Sequence, residues 1–430
     1  MVYYSTNKNS AKVDFREATI KGQAPDKGLY FPERIPQLDK TFLKELKSKS
    51  KAEISFEVIK PYVGNCIADE DLFQICEHTV NFNFPLVKVT DSISALELFH
   101  GPTLAFKDVG ARFMSRCLGY FSKDNKREIT VLVATSGDTG SAVANGFLGV
   151  EGVKVVILYP AGKVSKIQEL QLTTLGQNIT ALEVQGTFDD CQQMVKQAFA
   201  DDDVNEKIFL TSANSINVAR WLPQQFYYFF ALQQWQQDEP PVIAVPSGNF
   251  GNICAGLIAV LSGLPVKHFV AACNSNDAFV KYLNTGSFSS QEAVATISNA
   301  MDVGNPSNFV RVLELFNHDF EKTKNLITAY SIDDNETRKT MARVFELHNY
   351  LLDPHGAVGF TSLVKYLGNN PQQHGLFLET AHPVKFENVV SEATGVAVEI
   401  PAAMQEILQQ KKSSLLIKAN YEILKDYLLN

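Results

Sequence analysis

Residues 98–108 read Leu98-Phe99-His100-Gly101-Pro102-Thr103-Leu104-Ala105-Phe106-Lys107-Asp108 (LFHGPTLAFKD), an apolar run with one lysine behind a phenylalanine. A lysine ammonium is strongly hydrated, so an inward-facing position is costly unless the amine is paired or neutral. The ordinary reading is a surface lysine whose stem lies along apolar neighbours. The chemical reading is a desolvated amine that attacks a carbonyl and forms a Schiff base. The rest of the chain chooses between them.

After residue 96, short β-branched runs alternate with amphipathic stretches, the texture of βα units around a mostly parallel sheet. The expected strands are Ile129–Thr135, Val153–Tyr159, Ile179–Val184, Val242–Pro246, Lys267–Ala271 and Gly375–Leu378. Most are near-continuous apolar runs, as strands covered on both faces require. The expected helices are Ser141–Leu148, Ser165–Leu175, Phe188–Ala200, Ile216–Trp235, Asn252–Leu261 and Thr337–His348. Residues 1–95 are mixed, with a polar helix-like segment over 40–51 and a turn-rich KGLYFPERIP at 27–36. The polar QQWQQDEPP at 233–241 ends in a proline pair and marks a boundary. The expected organisation is therefore an N-terminal subdomain 1–95, a first α/β lobe 96–240 and a second α/β lobe 241–430. A ligand cleft between the lobes is the default.

Two glycine-bearing loops sit between an expected strand and an expected helix: ATSGDTGSAV at 134–143 and VPSGNFGNICAG at 245–256. Such turns present unpaired backbone N–H groups at a helix N-terminus, where an anion is favoured. One can grip a phosphate and the other a carboxylate, with hydroxyls from Ser136, Thr139 and Ser247 to help. Taken singly, each is also just a tight strand–helix turn. Neither is a GxGxxG fingerprint, and no GxxxxGK[ST] occurs, so a nucleotide is disfavoured. A reactive lysine with two anion-binding loops fits a cofactor bearing an aldehyde and a phosphate, which describes pyridoxal 5'-phosphate (PLP).

Composition narrows the field. The 430 residues carry 39 Lys+Arg against 47 Asp+Glu, a net charge of -8 with no basic block, which argues against nucleic acid as a partner. No window approaches the ~18 consecutive apolar residues of a membrane span. The six cysteines are dispersed without a CxxC pair, which excludes zinc-finger spacing and a disulfide framework. The N-terminal residues lack the apolar core of a signal peptide. The expectation is a cytoplasmic protein with reduced thiols and no metal.

Nine segments, in order, carry a resemblance: GLYFPERIP, LELFHGPTLAFKD, TSGDTGSAVA, KVVILYP, SANSIN, VPSGNFGN, SNAMDVGNPSN, DPHGAV and TAHPVKF. They are similar to the threonine synthase family in its bacterial and fungal form. The resemblance implies an α/β fold of PLP fold type II, the two-lobed tryptophan-synthase-β-like architecture, with an extra N-terminal subdomain. It implies a lyase of threonine biosynthesis that converts O-phospho-L-homoserine and water to L-threonine and phosphate. Lys107 is then the PLP lysine, and Phe106 presses on the ring. Ser247, Gly248, Asn249, Phe250, Gly251 and Asn252 form the phosphate cradle, Asn252 through its backbone N–H. Thr380 faces the pyridine nitrogen.

Ser136, Gly137, Asp138, Thr139 and Gly140 match the loop for the substrate carboxylate. An aspartate is odd company for an anion, so its carboxylate is expected to point away and cap the following helix. Lys163, Ser165, Asn214, Asn217, Arg112 and Arg220 are candidates for the substrate phosphate. Of the histidines in matched segments, His100, His355 and His382, His100 is read as structural. The family resemblance also implies a monomer. The competing reading is a serine or threonine dehydratase or a β-replacement enzyme of the same fold, which needs no site for a γ-phosphate.

Overall fold

The structure is a computed structural model and describes residues 1–123 and 128–430. A short antiparallel ribbon pairs β1 (Tyr3–Ser5) with β2 (Tyr30–Pro32). The larger sheet holds β3 (Leu86–Lys88), β4 (Ile93–Glu97), β9 (Val242–Pro246), β10 (His268–Cys273), β11 (Ile327–Ser331) and β12 (Gly375–Glu379), in the order β11-β10-β9-β12-β4-β3. Only β3 runs antiparallel. The smaller sheet, all parallel, holds β5 (Ile129–Ala134), β6 (Val153–Pro160), β7 (Ile179–Gln185), β8 (Phe209–Thr211) and β13 (Leu415–Lys418), in the order β13-β7-β6-β5-β8.

Each expected strand is present, with ends shifted by at most two residues. The strands the sequence did not signal, β1, β2, β3, β4, β8, β11 and β13, have three to five residues each. The lobes are also less contiguous than expected. Strands β3 and β4, at the end of the expected N-terminal subdomain, belong to the larger sheet. Strand β13, in the expected second lobe, closes the edge of the smaller one. Pairing partners of short strands are set by tertiary contacts, which local pattern does not report.

The long helix expected over Ile216–Trp235 is broken into Val218–Trp221, a 3-10 turn Leu222–Gln225 and Phe226–Gln234. Pro223 has no N–H to return to the preceding turn, so the α ladder shifts register there. The expected helix over 40–51 is likewise only Lys40–Lys44 followed by a 3-10 turn.

One core cluster runs without interruption from Tyr3 and Phe15 through Trp221 and Phe226 to the strands of both sheets. Arg311 joins its parts. Fully buried, it donates to the carbonyls of Ser215 (2.9 Å), Ile216 (2.6 Å) and Tyr30 (3.0 Å) and to Asn308 Oδ1 (2.8 Å). Its guanidinium also lies over the Trp221 ring at 4.1 Å. Thus the N-terminal residues are part of the catalytic fold rather than an appendage. Among the described residues no helix is long and apolar enough to cross a membrane. All six thiols are free, five of them buried.

The parallel strands place their C-terminal ends together. Ser247 follows β9, Thr380 follows β12, Phe99 follows β4 by two residues, and Ser136 follows β5. Open parallel sheets bind ligands at these ends.

Candidate active site

The 98–108 stretch is a turn held on β12 by backbone bonds. Leu98 N–H donates to Glu379 O (2.9 Å), Phe106 N–H to Thr380 O (2.9 Å), and His382 N–H to Leu104 O (3.0 Å). Inside the turn, the buried Asp108 carboxylate accepts from Thr103 N–H (2.9 Å) and Thr103 Oγ1 (2.6 Å). Gly101 is required there, because a Cβ would lie 2.4 Å from Asp108 Oδ2. Leu104 adopts φ 57°, a left-handed conformation that costs a leucine about 1–2 kcal/mol. The Tyr227 hydroxyl donates to the Phe106 carbonyl. Strain at a non-glycine residue persists because so many bonds over-determine the turn.

These bonds place Lys107 at the first position of the helix Lys107–Ser122, with its side chain 18% exposed. Its amine lies 5.8 Å from the Phe106 ring centroid. Burial holds the ammonium below its usual pKa; Asp138 opposes the shift, while Lys385 and Arg220 add to it. The positive end of the helix works in the same direction. The amine is therefore largely covered and less basic than a surface lysine. Arg220, itself buried, donates Nη1 to the Lys107 carbonyl at 3.3 Å, and burial lowers its pKa to about 10.

The loop after β5, a strand of the smaller sheet, meets this lysine. Thr135 Oγ1 accepts from Gly137 N–H (3.0 Å) and Gly140 N–H (2.8 Å), which tightens the turn. Gly137 has φ 139°, and Gln168 packs where its Cβ would be. Ser136 is exposed and Thr139 half-buried, at the N-terminus of the helix Asp138–Phe147, where first-turn N–H groups lack helical acceptors. Contrary to expectation, Asp138 neither points away nor caps its helix. Its carboxylate accepts from Gln168 Nε2 (2.9 Å), pairs with Lys385 Nζ at 2.6 Å and stands 3.8 Å from Lys107 Nζ. Burial would raise its pKa, but Lys385, Lys107 and Gln168 outweigh that and hold it well below the usual carboxylate range. Two cations explain an aspartate in an anion-binding loop.

The loop after β9 opens the helix Gly251–Leu261 through Phe250, which is left-handed at φ 61°. A Cβ on Gly248 would lie 2.6 Å from Met301 Cα, so the segment 299–301 roofs the loop. That roof is held by His355, whose Nε2 accepts from Ala300 N–H (3.2 Å) and whose Nδ1 meets Asp353 Oδ1 at 2.5 Å. Ser247 donates to Val245 O (2.7 Å), and Asn249 bridges Ser215 and Ser307. Asn252 turns its side chain to the Tyr228 hydroxyl (2.9 Å), which leaves its backbone N–H for a ligand. Thr380 lies level with Ser247, each three residues past the paired Phe377 and Ala244 of adjacent strands. Thr380 is a buried residue, and its hydroxyl makes no side-chain hydrogen bond among the described residues.

Of the remaining candidates, Arg220 alone joins the cluster. Arg112 donates to His78 O and to Asn81 Oδ1 (3.0 Å), on the N-terminal subdomain. Asn217 is fully buried, capping the helix Val218–Trp221 and donating to Thr19 O (2.8 Å). Ser165 forms a capping box with Gln168. Lys163 is exposed, and Asn214 is half-buried with its N–H on Ser212 Oγ (3.3 Å). Each was singled out for charge or polarity, and caps and interdomain ties draw on the same residue types. The residue missed is Lys385. Its signal was present in TAHPVKF, as a lysine in an apolar segment like Lys107.

The residues fit PLP. A glycine loop with no room for a Cβ and a helix N-terminus suit a phosphate, a free buried hydroxyl suits a ring nitrogen, and Lys107 supplies an amine of lowered basicity. Family comparisons agree. The family described as "Pyridoxal-phosphate dependent enzyme" matches residues 87–376, "Threonine synthase N terminus" residues 2–80 and "Threonine synthase, C-terminal" residues 356–428. Threonine synthase of Escherichia coli (strain K12) is 41% identical over 432 residues, covering 100% of both chains. A solved structure titled PLP-bound threonine synthase from Brucella melitensis superposes with a TM-score of 0.93 at 33% identity, covering 100% of this chain and 99% of that one. The processed form of threonine deaminase isoform 2 from Solanum lycopersicum shares the fold alone, with a TM-score of 0.55 at 14% identity over 77% of this chain and 95% of that one. Since the match runs end to end through the lysine turn and both loops, the chain belongs to the threonine synthase family of PLP-dependent enzymes.

Proposed function

We propose that this site converts O-phospho-L-homoserine and water to L-threonine and phosphate, with Lys107 as the proton carrier. The single observation that carries the assignment of Lys107 is its amine, largely covered and lowered in basicity, on a turn that bonds Thr380 through Phe106 N–H and 3.8 Å from Asp138 of the 136–140 loop. When bound, PLP supplies the aldehyde carbon that takes an amine and the conjugated ring that disperses carbanion charge. The Gly248–Asn252 backbone holds its phosphate, Ser247 lies at the mouth of that loop, and Phe106 covers one side. Thr380, a neutral hydroxyl, meets the ring nitrogen without forcing it to be protonated. Ser136, Asp138, Thr139 and their glycines orient the substrate carboxylate through backbone donors.

With its amine free, Lys107 Nζ would take the proton from Cα and release it to the phosphate side of the site, then take one from Cβ as the γ-phosphate leaves and return that one to Cγ. Water would then add its hydroxyl at Cβ and its proton at Cα, while the departing phosphate keeps the proton first taken from Cα. One amine serves each carbon by position, since all lie on one side of the bound substrate. Arg220 is the candidate placed to attract the departing phosphate. We also read the enzyme as cytoplasmic and monomeric, supported by its net charge, its free buried thiols and its family.

Purified wild type is expected to absorb in the near-visible with PLP, and Lys107→Ala to lose both that band and turnover. Phosphohomoserine should yield threonine and phosphate in equal amounts. Faster conversion of serine or threonine to a keto acid would assign the site to a dehydratase instead.

A further inference from the structure

Four other charged groups lie in the lysine turn or around the Lys107 amine. Lys107 and Asp108 come from the helix Lys107–Ser122, Asp138 from the helix Asp138–Phe147, Arg220 from the helix Val218–Trp221, and Lys385 from the 3-10 turn Pro383–Phe386. Asp108 is occupied by Thr103 and Arg220 by the Lys107 carbonyl. Asp138 thus has two unequal cations, Lys385 at 2.6 Å and Lys107 at 3.8 Å. The shorter pair is fixed from behind. Lys385 has a fully covered side chain and also donates to Thr103 O at 2.9 Å, inside the lysine turn. Gln168 Nε2 donates to the same Oδ1 that Lys385 holds, while Lys107 faces Oδ2.

We propose that Lys385 is a positioning residue for Lys107: by holding Asp138 it withholds that carboxylate from the reactive amine. Without Lys385 the nearest cation left for Asp138 is Lys107, and a close ammonium–carboxylate pair would keep the amine protonated and tie it away from the substrate carbons. The same pairing cancels the charge that Asp138 would otherwise present to a carboxylate entering the 136–140 loop. Lys385 therefore serves both ends of the site without touching a reacting atom. The inference rests on Lys107 being the PLP lysine.

The test compares the holoenzymes of wild type, Lys385→Met, Asp138→Asn and the double variant. The readout is the pH midpoint of the near-visible absorbance change that reports protonation of the Lys107 nitrogen, alongside the acid limb of kcat/KM. An opposite charge brought within hydrogen-bonding range favours the cation by roughly one pH unit or more. Lys385→Met is expected to move both midpoints about one unit to the alkaline side. Asp138→Asn should move them a similar distance to the acid side, because Lys385 and Arg220 then face the amine unopposed. The double variant should return to within about half a unit of wild type, as coupled neighbours require.

An unmoved or acid-shifted Lys385→Met, or a double variant that keeps the single variant's shift, overturns the proposal. Should Lys385→Met fail to fold, Asp138→Asn decides alone, and an unmoved midpoint there overturns it. A wild type without any near-visible band overturns instead the assignment of Lys107 itself.

Discussion

Replacing Gly248 by alanine tests the cradle most directly. The added methyl would lie 2.6 Å from Met301 Cα and 3.2 Å from the Ala300 carbonyl oxygen. Unstrained carbon atoms sit about 3.5–4.0 Å apart, so something must move by roughly 1 Å. The roof is the stiffer side. Met301 is buried, Ala300 N–H is bonded to His355, and Asp302 Oδ2 and Oδ1 accept from Thr296 N–H (2.9 Å) and Asn274 Nδ2 (2.9 Å). The loop yields, and a shift of that size takes one or two backbone N–H groups off the phosphate. Hydrogen bonds to a charged group are worth about 1.5–3 kcal/mol each, so losing one or two costs about 1.5–6 kcal/mol, or roughly 10- to 20,000-fold in the Kd for PLP. The assay is titration of the PLP-free chain followed by near-visible absorbance, with the denaturation midpoint measured in parallel. Gly359→Ala is the control, since its methyl would meet Pro246 and Phe377 at an ordinary 3.5–3.7 Å. If Gly248→Ala binds PLP within about threefold of wild type, the steric argument is wrong.

Three further outcomes are expected. Arg311→Met leaves four acceptors, two buried and two partly buried, without this donor and should lower folding stability by about 3–5 kcal/mol, read as a denaturant midpoint. Thr380→Val should still bind PLP but lower kcat about tenfold, the worth of one neutral hydrogen bond to the ring nitrogen; unchanged spectra and kinetics would remove that role. Burial, with His100 nearby, lowers the pKa of His382 from 6.5 to about 4, and burial does the same for His268. Both are neutral in folded and unfolded chains above about pH 6.5. As pH falls from there toward 4, the unfolded chain takes protons the folded chain refuses, so stability should fall by at most about 1.4 kcal/mol per pH unit per histidine. Denaturant midpoints across that window check this, and His382→Asn, which keeps a side-chain acceptor for Val384 N–H, should flatten the slope.

Much of the architecture was legible because its determinants are local. Long β-branched runs such as Ile129–Ala134 are buried on both faces whatever pairs with them, and glycine loops between strand and helix follow from backbone geometry. Short strands were not legible: Leu415–Lys418 has its exposed leucines and its partner β7 more than two hundred residues away, and nothing local says that it joins the smaller sheet. Candidates chosen for polarity alone divided in the same way. Arg220 reaches the lysine, while Arg112 and Asn217 tie the N-terminal residues to the fold.

Sequence by itself determined the chemistry: a lysine in an apolar turn, two anion-binding loops and the ordered segments of a family, each a property of adjacent residues. Tertiary structure alone decided the charges. Asp138 and Lys385 lie nearly 250 positions apart, and no pattern in either segment says that the parallel strands bring their ends to one point. Only there does a carboxylate that looked misplaced acquire its two cations. Electrostatic energy depends on distance in space, and in a buried site the distances of 2.6 and 3.8 Å make Lys385 the closer cation to Asp138 and Lys107 the farther one.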